Sequence, residues 1–309
     1  MIVHLHPTTS GAVAAKLVAL RAEEGVAALG RVLTLIIQTQ DDATAETAIT
    51  AANAAARQHP CRVIAVVPGA ATAEPGMSAE VRVGSDAGAS EVVLLRPTGA
   101  AGRDVGTLVN PLLLPDAPTV AWWPGEPPAV PAQDPVGTLA RRRITDALAT
   151  ADPPATIRRL RLGYSPGDTD LSWARSTPWR GRLAAALDEP PFEPVVAATV
   201  AGERRRPSVS LLAGWLADRL TCPVTIRAVP SGLITEVWLE RPSSTIVLRR
   251  EPNTQVARLS RTGAADQFVS LPVRSLEQCL MEELRFLDPD TTYGDALTSG
   301  LAAVRDAEP

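Results

Sequence analysis

The sequence predicts an α/β chain in two domains. Residues 1–165 form an N-terminal α/β domain with a mostly parallel sheet and flanking helices, and residues 166–309 form a C-terminal α+β domain with an antiparallel meander. Three observations carry this. A chain of 309 residues exceeds one ordinary domain. Unbroken apolar runs at 31–39 and 61–68 alternate with helical patterns, as strands buried on both faces do. After residue 224, strand-like segments follow one another with only turn signals between them.

Taken in order, Thr8, Thr9 and Ser10 can cap a helix reaching Glu24, with Val13, Leu17, Val18 and Leu20 at helical spacing. A strand over 31–39 is followed by Asp41, Asp42 and an alanine-rich helix over 43–58, which Pro60 stops. Strands are expected at 61–68, 80–84, 90–96 and 119–123, and helices at 104–114 and 138–150. Pro153, Pro154, Pro166 and Gly167 punctuate the border. Asp170 caps a helix that Pro178 either kinks or restarts with Thr177 as N-cap, and that helix runs to Asp188. A strand over 195–200 and a helix over 208–220 follow, then strands at 224–229, 233–240, 245–250, 255–261 and 267–271 and a closing helix at 275–287.

Composition narrows the function classes. The net charge of −4 argues against nucleic acid and acidic membrane surfaces as partners. Lys16 is the single lysine, and the arginine bias with abundant Ala, Pro and Gly reads as GC-rich codon usage. Cys61, Cys222 and Cys279 lie far apart, with no CxxC pair. The start shows no basic segment followed by an apolar core, and no apolar run approaches the roughly 20 residues of a membrane span. A cytoplasmic location with free thiols is expected.

Catalytic and cofactor patterns are weak. The first βα turn has Asp41 and Asp42 where a dinucleotide site needs glycines and room for phosphate, and no Walker A sequence occurs. His4 and His6 share one side of an extended segment, yet a metal site would need distant carboxylates. Neither a cofactor nor a metal is expected. Asp168 and Asp170 read as a loop residue and an N-cap, with an acid/base pair as the alternative.

The scarce aromatics are concentrated instead. Aromatic residues are 4% of the chain, yet Trp122 and Trp123 precede a Pro-rich loop bearing Glu126, and Trp173, Arg175, Trp179 and Arg180 crowd one helix. Trp and Arg dominate the energetics of protein contacts. One of the two adjacent strand indoles is expected in the core and the other at a helix or the loop. Trp173 and Arg180 share a face if Pro178 leaves the helix intact. Trp122, Trp123, Glu126, Asp168, Asp170, Trp173, Arg175, Trp179 and Arg180 are the partner-binding candidates.

Several stretches together resemble the OpcA family of glucose-6-phosphate dehydrogenase assembly proteins: residues 120–128 around Trp122-Trp123-Pro124-Gly125-Glu126, residues 59–64, 84–93 and 112–118, Gly167-Asp168-Thr169-Asp170-Leu171-Ser172-Trp173-Ala174-Arg175, and Asp288-Pro289-Asp290 through Leu297. The resemblance runs in order along nearly the whole chain. It implies a non-catalytic protein without a cofactor that binds glucose-6-phosphate dehydrogenase and promotes its active oligomer or activates it, serving the oxidative pentose phosphate branch. For photosynthetic relatives it implies thioredoxin-dependent control through cysteines, which the wide cysteine spacing here does not favour. The alternative is an α/β enzyme or metabolite sensor acting on a sugar phosphate or nucleotide, motivated by the first domain and the arginine clusters at 141–143, 158–159 and 204–206.

Overall fold

The computed structural model describes residues 1–24, 31–84 and 90–306. In chain order the elements are β1 (Ile2–Leu5), α1 (Ser10–Glu24), β2 (Leu33–Gln38), α2 (Asp42–Ala56), β3 (Cys61–Val66), β4 (Gly76–Arg82), β5 (Glu91–Thr98), α3 (Val105–Val109), β6 (Thr119–Trp123) and β7 (Arg142–Thr145). Then follow α4 (Pro153–Leu162), β8 (Asp168–Asp170), α5 (Leu171–Leu187), β9 (Ala197–Gly202), α6 (Pro207–Leu220), β10 (Val224–Ala228), β11 (Ile234–Glu240), β12 (Thr245–Arg250), β13 (Val256–Arg261) and β14 (Gln267–Ser270). The chain closes with α7 (Leu276–Arg285), α8 (Thr291–Asp295), a π turn, α9 (Leu301–Ala303) and β15 (Val304–Asp306).

Two compact units result. The first holds residues 1–149, 167–169 and 276–289, and the second holds 150–166, 170–275 and 290–309. The sequence places a single border at 165/166. In the structure α4 groups with the second unit and α7 with the first. Side-chain pairing explains the second of these exchanges: Glu283 of α7 meets Arg142 of β7 at 2.5 Å, both buried.

The first unit carries an eight-stranded sheet in the order β1-β4-β5-β3-β2-β6-β7-β8. Strands β5, β3, β2, β6 and β7 run parallel, while β1 and β4 are antiparallel additions at one edge. Val13, Leu17 and Leu20 of α1 pack with Ile36, Ile64, Val93 and Trp123 on one face. The alternate residues Leu35, Ile37, Val63, Ala65 and Leu94 are equally buried on the other face, and α2 lies against β2 and β3. Burial on both faces is why these strands read as continuous apolar runs.

The expected helix at 138–150 is absent. A 3₁₀ turn at Gly137–Leu139, strand β7 and a second 3₁₀ turn at Ala147–Ala149 take its place. Arg142 and Arg143 hide the strand from a hydrophobic pattern because their charges are met by distant carboxylates. The expected helix at 104–114 shortens to α3 and a 3₁₀ turn at Asn110–Leu112, before Pro115.

The second unit carries a seven-stranded sheet in the order β14-β13-β12-β11-β9-β10-β15. Strands β11 to β14 form the expected antiparallel meander. The strand at 224–229, read as the start of that meander, is instead parallel to β9, with α6 as the crossover, and β15 is parallel to β10. One face meets α5 and α6 in a core that includes Trp179, Leu183, Leu212, Leu216, Val237 and Leu248.

Candidate functional site

The segment 167–180 carries six of the nine candidate residues. Gly167 has φ +98°, and an added Cβ there would lie 2.7 Å from the Arg141 carbonyl oxygen. Only glycine lets the chain pass so close at that dihedral. Asp168 then pairs with Arg143, both buried. Thr169 donates its hydroxyl to Glu283 at 3.0 Å, and its carbonyl accepts from Thr145 at 3.1 Å. The Asp170 carboxylate accepts from the Ser172 N–H at 2.8 Å and caps α5. The two aspartates are thus engaged in separate roles, one as an ion-pair partner and one as a cap.

Helix α5 passes through Pro178 unbroken. Proline has no N–H for the Ala174 carbonyl four residues back. Arg274 donates to that oxygen instead, at 3.4 Å. Because the helix continues, Arg180 lies over the Trp173 ring, 3.4 Å from its centroid, and donates to Thr177 Oγ1 at 2.7 Å. Trp173 Nε1 donates to Asp290 at 2.7 Å, while the other oxygen of Asp290 caps α8 through the Tyr293 N–H. The Tyr293 ring meets Trp173 edge-on at 5.8 Å and Tyr164 at 6.2 Å. Gly294 makes room for Tyr164, whose hydroxyl would sit 2.4 Å from a Cβ. The stretches around Trp173 and Asp290 therefore meet in one internal cluster.

All four candidate indoles are interior. Trp122 is 0% exposed, and Trp123, Trp173 and Trp179 are each 2% exposed. Trp123 joins the core beneath α1 and donates to Gln38 at 3.3 Å, whereas Trp122 points to the opposite face of the sheet. These rings can shape a binding surface only by supporting it. Arg175 and Arg180 are half-buried and Glu126 is exposed. Of the residue stretch 84–93, residues 85–89 lie outside the described residues.

The exposed aromatics lie elsewhere. All three phenylalanines of the chain, Phe192, Phe268 and Phe286, are about 70% exposed on average, at 77%, 67% and 68%. On the second sheet, the face away from the core shows a cross-strand row of Arg227, Glu236, Arg249, Arg258 and Phe268, set by the register Glu236↔Arg249, Arg249↔Arg258 and Arg258↔Phe268. Glu236 takes Arg227 at 3.2 Å and also pairs with Arg249. Arg227 lies over the half-buried Trp238 ring at 4.1 Å. Sequence reasoning passed over this row. The signal was there: Val237 and Leu239 face the core, so period-two alternation turns Glu236, Trp238 and Glu240 outward.

The remaining reactive groups are quiet. Burial pushes the Cys61 thiol up to about 12, Cys279 is buried, and the half-buried Cys222 thiol is also raised by desolvation. The β2–α2 turn, where a dinucleotide site would need glycines, has its helix start filled by Asp41, which accepts from the Thr44 N–H at 2.8 Å. His4 faces Glu80 at 3.8 Å. Among the described residues, no three His, Cys, Asp or Glu side chains gather in a way that could hold a metal. No described helix is long and apolar enough to cross a membrane.

Comparison with known proteins gives consistent matches. The family model of the glucose-6-phosphate dehydrogenase subunit N-terminal domain matches residues 52–162, and that of the C-terminal domain matches residues 166–297. The chain belongs to the OpcA family. The OxPP cycle protein OpcA of Synechococcus elongatus is 31% identical to this OpcA-family chain over 184 residues, covering 54% of the chain and 41% of the relative. The OpcA protein of Synechocystis is 26% identical over 192 residues, covering 55% and 39%. The matched stretch thus spans about two fifths of either relative's length. Among solved structures, aldose-aldose oxidoreductase from Caulobacter crescentus aligns with TM-score 0.47 and 11% identity, covering 86% of this OpcA-family chain and 95% of its own. Glucose-6-phosphate 1-dehydrogenase from Mycobacterium avium aligns with TM-score 0.41 and 13% identity, covering 89% and 93%.

Proposed function

We propose that this chain is a non-catalytic partner of glucose-6-phosphate dehydrogenase that binds the enzyme, favours its active oligomer and so activates it in the oxidative pentose phosphate branch. The observation that carries the reading is the pair of family matches, both described as glucose-6-phosphate dehydrogenase subunit domains, running from residue 52 to residue 297. The buried carboxylates support it. Glu91, Glu283 and Asp168 are each held by arginines, and Asp170 caps a helix, so these groups serve the fold.

The docking surface that fits is the outward face of the second sheet. It combines Trp238 and Phe268 with Arg227, Arg249 and Arg258, whose side chains are 50%, 57% and 42% exposed. These are the residue types that anchor protein interfaces. An activator works only by binding the active form of its partner better than the inactive form. About 1.4 kcal/mol of that preference shifts the balance tenfold, which one such anchor can supply.

The test is dehydrogenase kinetics with and without this chain, paired with light-scattering sizing of the mixture. Co-elution and a rise in activity at micromolar chain are expected. Two proteins that elute apart, with unchanged kinetics, reject the reading. The enzyme alternative predicts turnover of a sugar phosphate by the chain alone, and the same assay without dehydrogenase measures it.

A further inference from the structure

We propose that the second unit holds a binding site for a small phosphorylated organic molecule, in an arginine-lined cleft at the turn between β9 and α6. This site is separate from the outward sheet face and does not depend on the dehydrogenase reading.

The cleft has a volume of about 380 Å³, which falls in the range of small-molecule sites. Arg158 and Arg161 of α4, Arg204 and Arg205 of the turn, and Arg305 of β15 line it. No carboxylate is among its described lining residues. That is unusual for this chain, whose net charge is −4 and whose other arginines repeatedly meet acids: Arg62 with Glu91, Arg82 with Glu46, Arg96 with Asp42 and Arg261 with Glu189. Among the described residues, Arg158, Arg161 and Arg305 have no salt-bridge partner, and the Arg205 guanidinium donates to the Ala151 carbonyl, at 2.9 Å, while its backbone N–H meets Glu203. Guanidiniums gathered around one concavity repel one another. An anion with several acceptor oxygens relieves that repulsion, and guanidinium forks match phosphate geometry.

The topology adds to this. Strand β9, helix α6 and strand β10 form a parallel β-α-β unit, and the turn that follows the carboxyl end of β9 lines the cleft. Open α/β sheets bind ligands at that end of their strands. Pro207 and Ser210, in the first turn of α6, also line the cleft, and no side chain caps that helix start. One wall is apolar, made by Ile157, Val209, Ile226 and Leu301. A bare inorganic ion would leave that wall unused, so the ligand class is a phosphate ester with an organic body.

Three of the arginines come from sequence clusters noted above, at 158–159 and 204–206. The fold brings those clusters together with Arg161 and Arg305, more than a hundred residues apart in the chain at the extremes.

The test uses the full chain alone in titration calorimetry, with AMP, inorganic phosphate and adenosine as probes. Saturable AMP binding is expected, roughly tenfold tighter than inorganic phosphate and lost with adenosine. The double variant Arg158→Ala/Arg161→Ala should weaken AMP at least about tenfold. Arg249→Ala, on the outward sheet face, should leave AMP binding unchanged. An unchanged melting temperature of the variants without ligand shows that they fold. No saturable AMP binding, or equal AMP affinity in the double variant, overturns the proposal. So does an AMP affinity no better than that of inorganic phosphate, because the apolar wall would then have no role. All of these readings come without dehydrogenase, so failure here leaves the partner reading intact, and the reverse also holds.

Discussion

The two sheets of this chain obey one geometry and yet look opposite in sequence. In the first unit, every residue of β3 and of β6 is buried. In the second, β12 and β13 alternate between buried and partly exposed positions. The difference is coverage. A sheet with apolar packing on both faces loses its period-two pattern, while a sheet covered on one face keeps it. Charge follows the same divide. The first unit buries Arg62 with Glu91, Arg142 with Glu283 and Arg143 with Asp168, each pair almost without water. The second keeps Arg227, Glu236 and Arg249 as a row whose arginines remain half in solvent.

The largest effect should come from breaking that contrast at its buried end. Glu91 is 1% exposed and accepts from Arg21 at 2.6 Å and Arg62 at 2.7 Å. Glu91→Ala leaves the buried Arg62 uncompensated, so a loss of about 3–5 kcal/mol in urea unfolding is expected. The matching change on the outward face, Glu236→Ala, frees arginines that already lie half in solvent and should cost only about 1 kcal/mol. Equal losses at the two sites would erase the distinction.

The next effect concerns the outward face. Trp238→Ala should weaken dehydrogenase binding by about 2 kcal/mol in calorimetry, with little change in the fold. Trp173→Phe, an interior change, should act in the opposite manner. It removes the hydrogen bond to Asp290 and should cost about 1 kcal/mol of stability, while dehydrogenase affinity stays unchanged. Should Trp173→Phe alter binding and Trp238→Ala leave it alone, the indoles named from the sequence would hold the contact after all.

The smallest effect is a pH slope in the first unit. Burial, aided by the nearby Arg285 charge, holds the His59 imidazole below its ordinary value of 6.5. The unfolded chain then binds more protons than the folded one in the window just below pH 6.5. Stability is complete above that value and falls as the pH drops through it. His59→Gln should flatten melting curves between about pH 7 and 5.5. A slope that survives the substitution assigns the effect to another group.

Much of this architecture was legible in the residues. The strand at Thr119–Trp123 and the helix reaching Glu24 follow directly from apolar runs, caps and prolines. Strand β7 did not, because Arg142 and Arg143 look like a solvated helix face until Glu283 and Asp168 are placed beside them. The candidate contacts fared in the same way. Residue type singled out Trp122, Trp123, Trp173 and Trp179, but type says nothing of orientation, and the structure turns all four inward. Trp238 sits in a strand whose alternation already turns it outward.

The sequence by itself determined the local vocabulary of this protein: where strands and helices begin, which residues cap them, and the family motifs that mark its kind. Tertiary structure alone decided which charges are paired and which indoles are covered. It also decided that arginines from α4, the β9–α6 turn and β15 share one cleft. The reason is range. Caps and periodicities act over one or two turns of chain, whereas burial and charge pairing depend on distant partners such as Arg142 and Glu283, 141 residues apart, which no local pattern encodes.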